Sequence, residues 1–253
     1  MLFPHTEKPM PTIRMIFLTT VAVLTLTVGM ILLTLCSILT LGQAKNFITR
    51  LFSRSLGRIV LFFAGVKVNF VGGPIDRPAI YISNHSSTLD IFLIIAMGLP
   101  KVRYIAKYEL LYNPLFGVMG WLTGQIFIKR QDSEKAVATL NRAYKKIRRQ
   151  GLSLYVAPEG TRIVGGKIGP FKKGAFRMAM DLQCPIVPIH FAGARQLCPG
   201  KTLRVQPGEV TIRFYPTIDT SAWTRENLHE QVTKIRQDYI RWEEEHDKLA
   251  VMT

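Results

Sequence analysis

From Met15 to Ala44 the chain runs for thirty residues without a single charge. No other feature limits the possible folds as strongly. A helix of that length rises about 45 Å, against the ~30 Å thickness of a hydrocarbon core. Leu, Ile, Val, Met, Phe and Thr dominate, and Thr19, Thr20, Thr25 and Thr27 can bond back to helix carbonyls. A cleaved secretion signal does not fit, because its apolar part spans roughly 7–15 residues and ends in a small-x-small exit. A buried helix of a soluble protein is shorter than this. The run therefore reads as membrane-embedded, either as a spanning helix or as half of a two-helix hairpin.

The next segment is basic and amphipathic. Arg50, Arg54 and Arg58 stand four residues apart and form one stripe on a helix, leaving Phe47, Leu51, Ile59 and Phe62 for another face. Such a helix suits a headgroup boundary, where each basic residue gains roughly 1 kcal/mol from anionic lipid. A solvated helix face is the other reading of the same stripe. This flank outweighs Lys8 and Arg14 ahead of the apolar run, so the positive-inside tendency places the main domain on the cytoplasmic side. Three cysteines, Cys36, Cys184 and Cys198, make neither a disulfide framework nor a zinc site and agree with a reducing compartment. The chain divides into membrane-anchoring helices over 1–64 and one domain over 65–253.

In that domain short β-branched or alternating runs recur at Lys67–Val71, Ala79–Ser83, Val102–Ala106, Ile126–Ile128, Ser153–Ala157, Ile186–Ile189 and Val210–Tyr215. Helical patterns lie between them. Ser133–Gln150 turns Ala136, Leu140, Ala143 and Ile147 inward, and Arg225–Lys248 carries Leu228, Val232, Ile235, Tyr239 and Trp242 at steps of four and three. The alternation predicts an α/β fold, a mixed sheet covered by helices.

Two constellations could carry chemistry. Ser83-Asn84-His85-Ser86-Ser87-Thr88-Leu89-Asp90 sits where a strand ends and an apolar helix begins. Ser87 with Asp90 three residues on resembles a capping box, in which His85 only precedes the cap. Alternatively His85, just outside the helix, folds back onto Asp90, which fixes the imidazole tautomer and makes His85 a general base. The second is Pro158-Glu159-Gly160-Thr161-Arg162, also directly after a strand. Its turn offers backbone N–H groups, and Arg162 brings a planar fork suited to phosphate. Taken alone it could be an ordinary turn with a surface arginine.

In order and type these motifs resemble the glycerolipid acyltransferases typified by lysophosphatidic acid acyltransferase. The His-x4-Asp block is His85–Asp90, preceded by Asn84. The second block is matched by Lys107, Pro114, Gly117, Gly124, Phe127, Ile128 and Arg130, and the third by Glu159–Arg162 with Phe171-Lys172-Lys173-Gly174-Ala175-Phe176 following. The fourth is Pro185-Ile186-Val187-Pro188-Ile189. The resemblance spans about Ile80 to Pro216. Two positions depart from the family pattern, Ala157 where a larger residue is usual and Ile163 where Ser or Asn is common.

The resemblance implies transfer of an acyl group from an acyl-CoA or acyl carrier protein thioester to a hydroxyl of a lysophospholipid, lysophosphatidic acid foremost, to give phosphatidic acid. His85 would be the base and Asp90 its orienting partner. Lys107, Arg130, Glu159, Gly160, Thr161, Arg162 and Lys172 would bind substrate, with no cofactor and no metal. Glycerol-3-phosphate or another lysolipid is the alternative acceptor. A net charge of +16 on an anionic phospholipid membrane would concentrate both anionic substrates.

Other classes fit less well. A serine hydrolase lacks the Gly-x-Ser-x-Gly elbow, and its relay is assembled from distant parts of a chain. A membrane-tethered binder of nucleic acid or anionic lipid, prompted by the charge alone, lacks a zinc-finger or RNP motif, and its activity would not depend on His85. His190 reads as a core histidine, and Glu243-Glu244-Glu245-His246-Asp247 as a solvated helix end.

Overall fold

A computed structural model describes residues 12–40, 45–129, 132–162 and 168–252. Its strands are β1 (Val66–Val71), β2 (Ile80–Ser83), β3 (Val102–Lys107), β4 (Ile126–Ile128), β5 (Ser153–Val156), β6 (Ile186–Ala192) and β7 (Gly208–Phe214). Every segment expected from alternation is a strand. The helices are α1 (Thr12–Leu39), α2 (Lys45–Phe63), α3 (Asp90–Ala96), α4 (Pro114–Thr123), α5 (Ser133–Gln150), α6 (Gly174–Leu182), α7 (Ala194–Leu197) and α8 (Leu228–Met252).

The strands form one sheet in the order β1-β7-β6-β2-β5-β3-β4. From β6 to β4 all neighbours are parallel; β7 runs antiparallel to β6 and carries β1 parallel to itself. The mixed α/β sheet read from the sequence is thus the observed fold. Parallel strands need both faces covered, and the side-chain period of two divides them cleanly. Ile80 and Ile82 of β2 enter a core with Leu154, Phe176, Val232 and Tyr239, whereas Tyr81 between them packs with Leu61, Leu93, Ile189 and Phe191 on the other face.

Pro188 deprives the sheet centre of one backbone donor. The Tyr239 hydroxyl bonds at that place, donating to the Ile82 carbonyl at 2.8 Å and accepting from the Ile189 N–H at 3.1 Å. One turn further along α8, Glu243 also points inward rather than to solvent. It is 6% exposed, meets His190 Nε2 at 2.7 Å and accepts from Arg195 Nε at 3.2 Å. His190 is therefore a satisfied core histidine. Only part of the acidic run is solvated, because the helical period turns Glu243 toward β6 while Glu244 and Glu245 face outward.

Burial pushes the Glu243 carboxyl up, but His190 and Arg195 outweigh it and hold the group below its ordinary value of 4.5. A depressed carboxylate stabilises the fold above its unfolded value and loses that contribution as pH falls through the folded one. Glu243→Gln is expected to cost about 2 kcal/mol at neutral pH. The gap from wild type should close in acid below about pH 4.5. Urea unfolding in detergent across that range checks this, and a gap that widens in acid would contradict it.

The helices α1 and α2 form an antiparallel hairpin. Arg14 Nη2 donates to the Ala64 carbonyl at 3.1 Å, Phe17 meets Phe63 edge-on at 6.1 Å, and Gly29 abuts Leu56. Much of the hairpin surface is apolar and exposed, including Phe47, Leu51, Ile59, Phe62 and the outer side of α1. The opposite side of α2 belongs to the domain core. Leu61 and Ala64 share a cluster with Leu93 and Ala96, and a Cβ on Gly57 would stand 2.6 Å from the Phe92 carbonyl oxygen. The segment boundary drawn at residue 64 thus crosses a shared core, since α2 packs on α3.

Candidate active site

Strand β2 is buried along its whole length, and its chain leaves the sheet after Ser83. Asn84 makes the exit possible. Its side chain accepts the Phe191 N–H at 2.9 Å and donates to the Phe191 carbonyl at 3.3 Å, extending the pairing with β6 while the backbone turns away. His85 then emerges at the carboxyl edge of the parallel strands, where open α/β sheets hold their ligands.

The His85 imidazole is one-quarter exposed, and its Nδ1 lies 2.8 Å from Asp90 Oδ2. Asp90 is 1% exposed, and the same oxygen accepts the Ser87 N–H at 3.0 Å. Ser87 Oγ accepts the Leu89 N–H at 3.0 Å and donates to the Cys198 carbonyl at 2.6 Å. Helix α3 begins at Asp90 with Leu89 as its N-cap and no side-chain cap bond, so Ser87 is not the cap the sequence suggested; one Asp90 oxygen holds both the Ser87 N–H and the His85 ring. With Nδ1–H donated to Asp90, Nε2 is the basic nitrogen. Burial pushes the Asp90 carboxyl above its ordinary range, while bonds from His85, Ser87 and Ser86 pull it back.

Glu159 is 3% exposed, and both its oxygens are engaged. Oε1 accepts the His85 N–H at 2.7 Å and Oε2 accepts the Gly169 N–H at 2.9 Å. Burial raises this carboxyl and the two N–H bonds lower it, the net shift being upward. The side chain thus ties the His85 turn to the chain at Gly169. Gly160 has φ +71°, and Lys172 lies so close that a Cβ there would be 3.1 Å from Nζ. Arg162 reaches the His85–Asp90 turn, its Nη1 donating to Thr88 Oγ1 at 3.1 Å. Thr161 is exposed beside it.

Lys107 lies further along the same edge. Lys107 ends β3, is half exposed and pairs with Glu109 at 3.5 Å. Arg130 lies outside the described residues, as does Ile163. Sequence reasoning missed the segment that backs the turn. Ser87 forms an isolated bridge to Pro199, and a Cβ on Gly200 would stand 2.9 Å from the Ser86 carbonyl oxygen. The Pro199-Gly200 dipeptide is a turn signal that could have marked it. Among the described residues no group of three His, Cys, Asp or Glu could hold a metal. The arrangement is an oriented imidazole base with a guanidinium and an ammonium close by, suited to deprotonating a hydroxyl on an anionic molecule.

Comparison with known proteins agrees with this geometry. The Acyltransferase family model matches residues 67–192. The 1-acyl-sn-glycerol-3-phosphate acyltransferase of Limnanthes alba is 32% identical over 192 residues, covering 76% of this chain and 68% of that protein. The human 1-acyl-sn-glycerol-3-phosphate acyltransferase alpha is 30% identical over 184 residues, covering 72% and 65%. The crystal structure of the 1-acyl-sn-glycerophosphate (LPA) acyltransferase from Thermotoga maritima superposes with a TM-score of 0.74 at 24% identity. It covers 92% of this chain and 98% of that one, and shares its fold. The match extends over the strands and turns that carry His85, Asp90 and Glu159–Arg162, and on it the chain belongs to the acyltransferase family.

Proposed function

We propose that this protein transfers an acyl group from an acyl-CoA or acyl carrier protein thioester to the free hydroxyl of lysophosphatidic acid, forming phosphatidic acid for phospholipid synthesis. The observation that carries the reading is the His85–Asp90 pair beside Arg162 and Lys172, a base next to a place for phosphate. The acceptor hydroxyl gives its proton to His85 Nε2 as its oxygen attacks the thioester carbonyl. The carbon–sulfur bond then breaks, and the departing sulfur takes the proton from the imidazolium. Asp90 stabilises that cation and keeps the ring oriented. No cofactor beyond the thioester is required. Glu159 acts by holding the backbone of the turn, while Arg162, Lys172 and, further out, Lys107 attract the acceptor phosphate, with Arg130 proposed to join them.

The hairpin supports attachment to one face of a bilayer. If α1 crossed the membrane, the antiparallel α2 beside it would carry Arg50, Arg54 and Arg58 back through hydrocarbon, at a cost of roughly 3 kcal/mol each. A hairpin sunk partway avoids this, with Tyr112 and Trp121, each 76% exposed, as aromatic contacts near the surface. The cytoplasmic face is where the thioester donors and a reducing environment for three free cysteines coincide.

Membranes containing the protein, given labelled acyl-CoA with lysophosphatidic acid and separately with a neutral-headgroup lysolipid, test the reading. Transfer should favour the anionic acceptor. Arg162→Ala should raise the KM for lysophosphatidic acid by roughly tenfold to a hundredfold, the loss of one charge-assisted hydrogen bond. Equal use of both acceptors, or an unchanged KM, would count against it.

A further inference from the structure

A cleft of about 220 Å³ lies between α2 and the sheet edge, with Arg50, Arg54 and Arg58 on one side and Gly72, Gly73 and Pro74 on the other. It is separate from the catalytic turn. Its strand, β1, is three places from β2 in the sheet, which is ~14 Å at the usual strand spacing. The helix α3 lies between, with Asp90 at its start and Met97, which lines the cleft, just past its end.

The cleft holds cations without counter-charges. No acidic residue lines it, and among the described residues neither Arg54 nor Arg58 forms an ion pair. Like charges one helical turn apart repel, so the stripe weakens an isolated α2 and is relieved by a bound anion. Arg50 is fixed in place by its Nε bond to the Gly98 carbonyl at 2.8 Å, and the Arg58 guanidinium rests 5.9 Å over the Phe70 ring. On the facing wall Gly73 presents bare backbone: a Cβ there would meet nothing within 4 Å. Part of the lining is apolar, with Phe70, 40% exposed, Met97 and Phe214. Phe62, one turn beyond Arg58 on α2, lies outside that lining and is 77% exposed.

We infer that this cleft binds one anionic phospholipid, its phosphate between Arg54, Arg58 and the glycine turn and its acyl chains toward Phe70 and Phe62. A free phosphate would use the cations but leave the apolar lining empty, which favours the amphiphile. The bound lipid ties α2 to the β1–β2 turn and fixes the domain's orientation on the membrane. The inference rests on the membrane-surface reading of the hairpin and not on acyl transfer.

Native mass spectrometry in a neutral detergent tests it, with dioctanoyl phosphatidylglycerol as probe, and with dioctanoyl phosphatidylcholine and inorganic phosphate as controls. Wild type should retain one phosphatidylglycerol at least tenfold more tightly than either control. Arg54→Gln/Arg58→Gln should weaken that retention by roughly thirtyfold, and Arg54→Lys/Arg58→Lys should largely keep it. Acyl transfer to a soluble short-chain acceptor, measured on the same preparations, should stay within about twofold in both variants, so loss of lipid binding is read apart from loss of catalysis. Undiminished retention in the glutamine variant overturns the site. Phosphate binding as tight as the lipid overturns the lipid as its occupant.

Discussion

His85→Ala should lower kcat/KM for acyl transfer by about a thousandfold while the protein stays folded, the usual range for removing a general base. The geometry separates the two effects. Asp90 keeps its bond from the Ser87 N–H at 3.0 Å without the imidazole, so the turn leading into α3 stays tied. The His85 backbone N–H still reaches Glu159. Asp90→Asn keeps one oxygen for the Ser87 N–H and the His85 ring but removes the charge that stabilises the imidazolium, so its loss should fall on activity. Acyl transfer by detergent-solubilised protein, with circular dichroism as the folding control, decides the matter. A His85→Ala protein that is folded and fully active would leave Asp90 with only its tie to the Ser87 turn and remove the proposed mechanism.

Glu159→Gln should lower kcat by roughly a hundredfold and leave the acceptor KM within about threefold. The carboxylate accepts two backbone N–H groups, one on each oxygen, at 2.7 and 2.9 Å. A glutamine offers one acceptor oxygen, so its NH2 group must confront the other donor in a buried place. That costs about 1–3 kcal/mol and shifts the turn. A displacement near 1 Å at the reacting group is enough for a hundredfold loss. If Glu159 instead contacted the acceptor, KM would rise and kcat would change little. Arg162→Ala supplies the opposite pattern for comparison, its loss falling on KM.

What could be read from the sequence was short-range. The strands follow from alternation, and helix α5 lies at Ser133–Gln150 as its three-to-four spacing indicated. Helix α8 begins three residues later and ends four later than its periodicity suggested, as helix ends are set by packing as much as by pattern. The His85–Asp90 contact was also within reach, because five residues of chain at a helix start can close only a few ways. Sequence could not decide between cap and catalytic pair, since both demand the same residues.

Glu159 illustrates what sequence could not show. Its partner is 74 positions away, and β5 lies next to β2 only once the sheet is assembled. The same holds for Glu243 against His190, 53 positions apart, which composition alone placed in solvent. The three arginines of α2 were visible as a stripe, but the cleft they form with Gly73 exists because β1 sits at the sheet edge beside that helix. The apolar run pointed to a membrane, and the ordered motifs indicated the family. Which way each charged side chain points was decided by the tertiary structure. Periodicity records the neighbours a residue has within its own turn or strand, and burial next to a distant strand leaves no local mark.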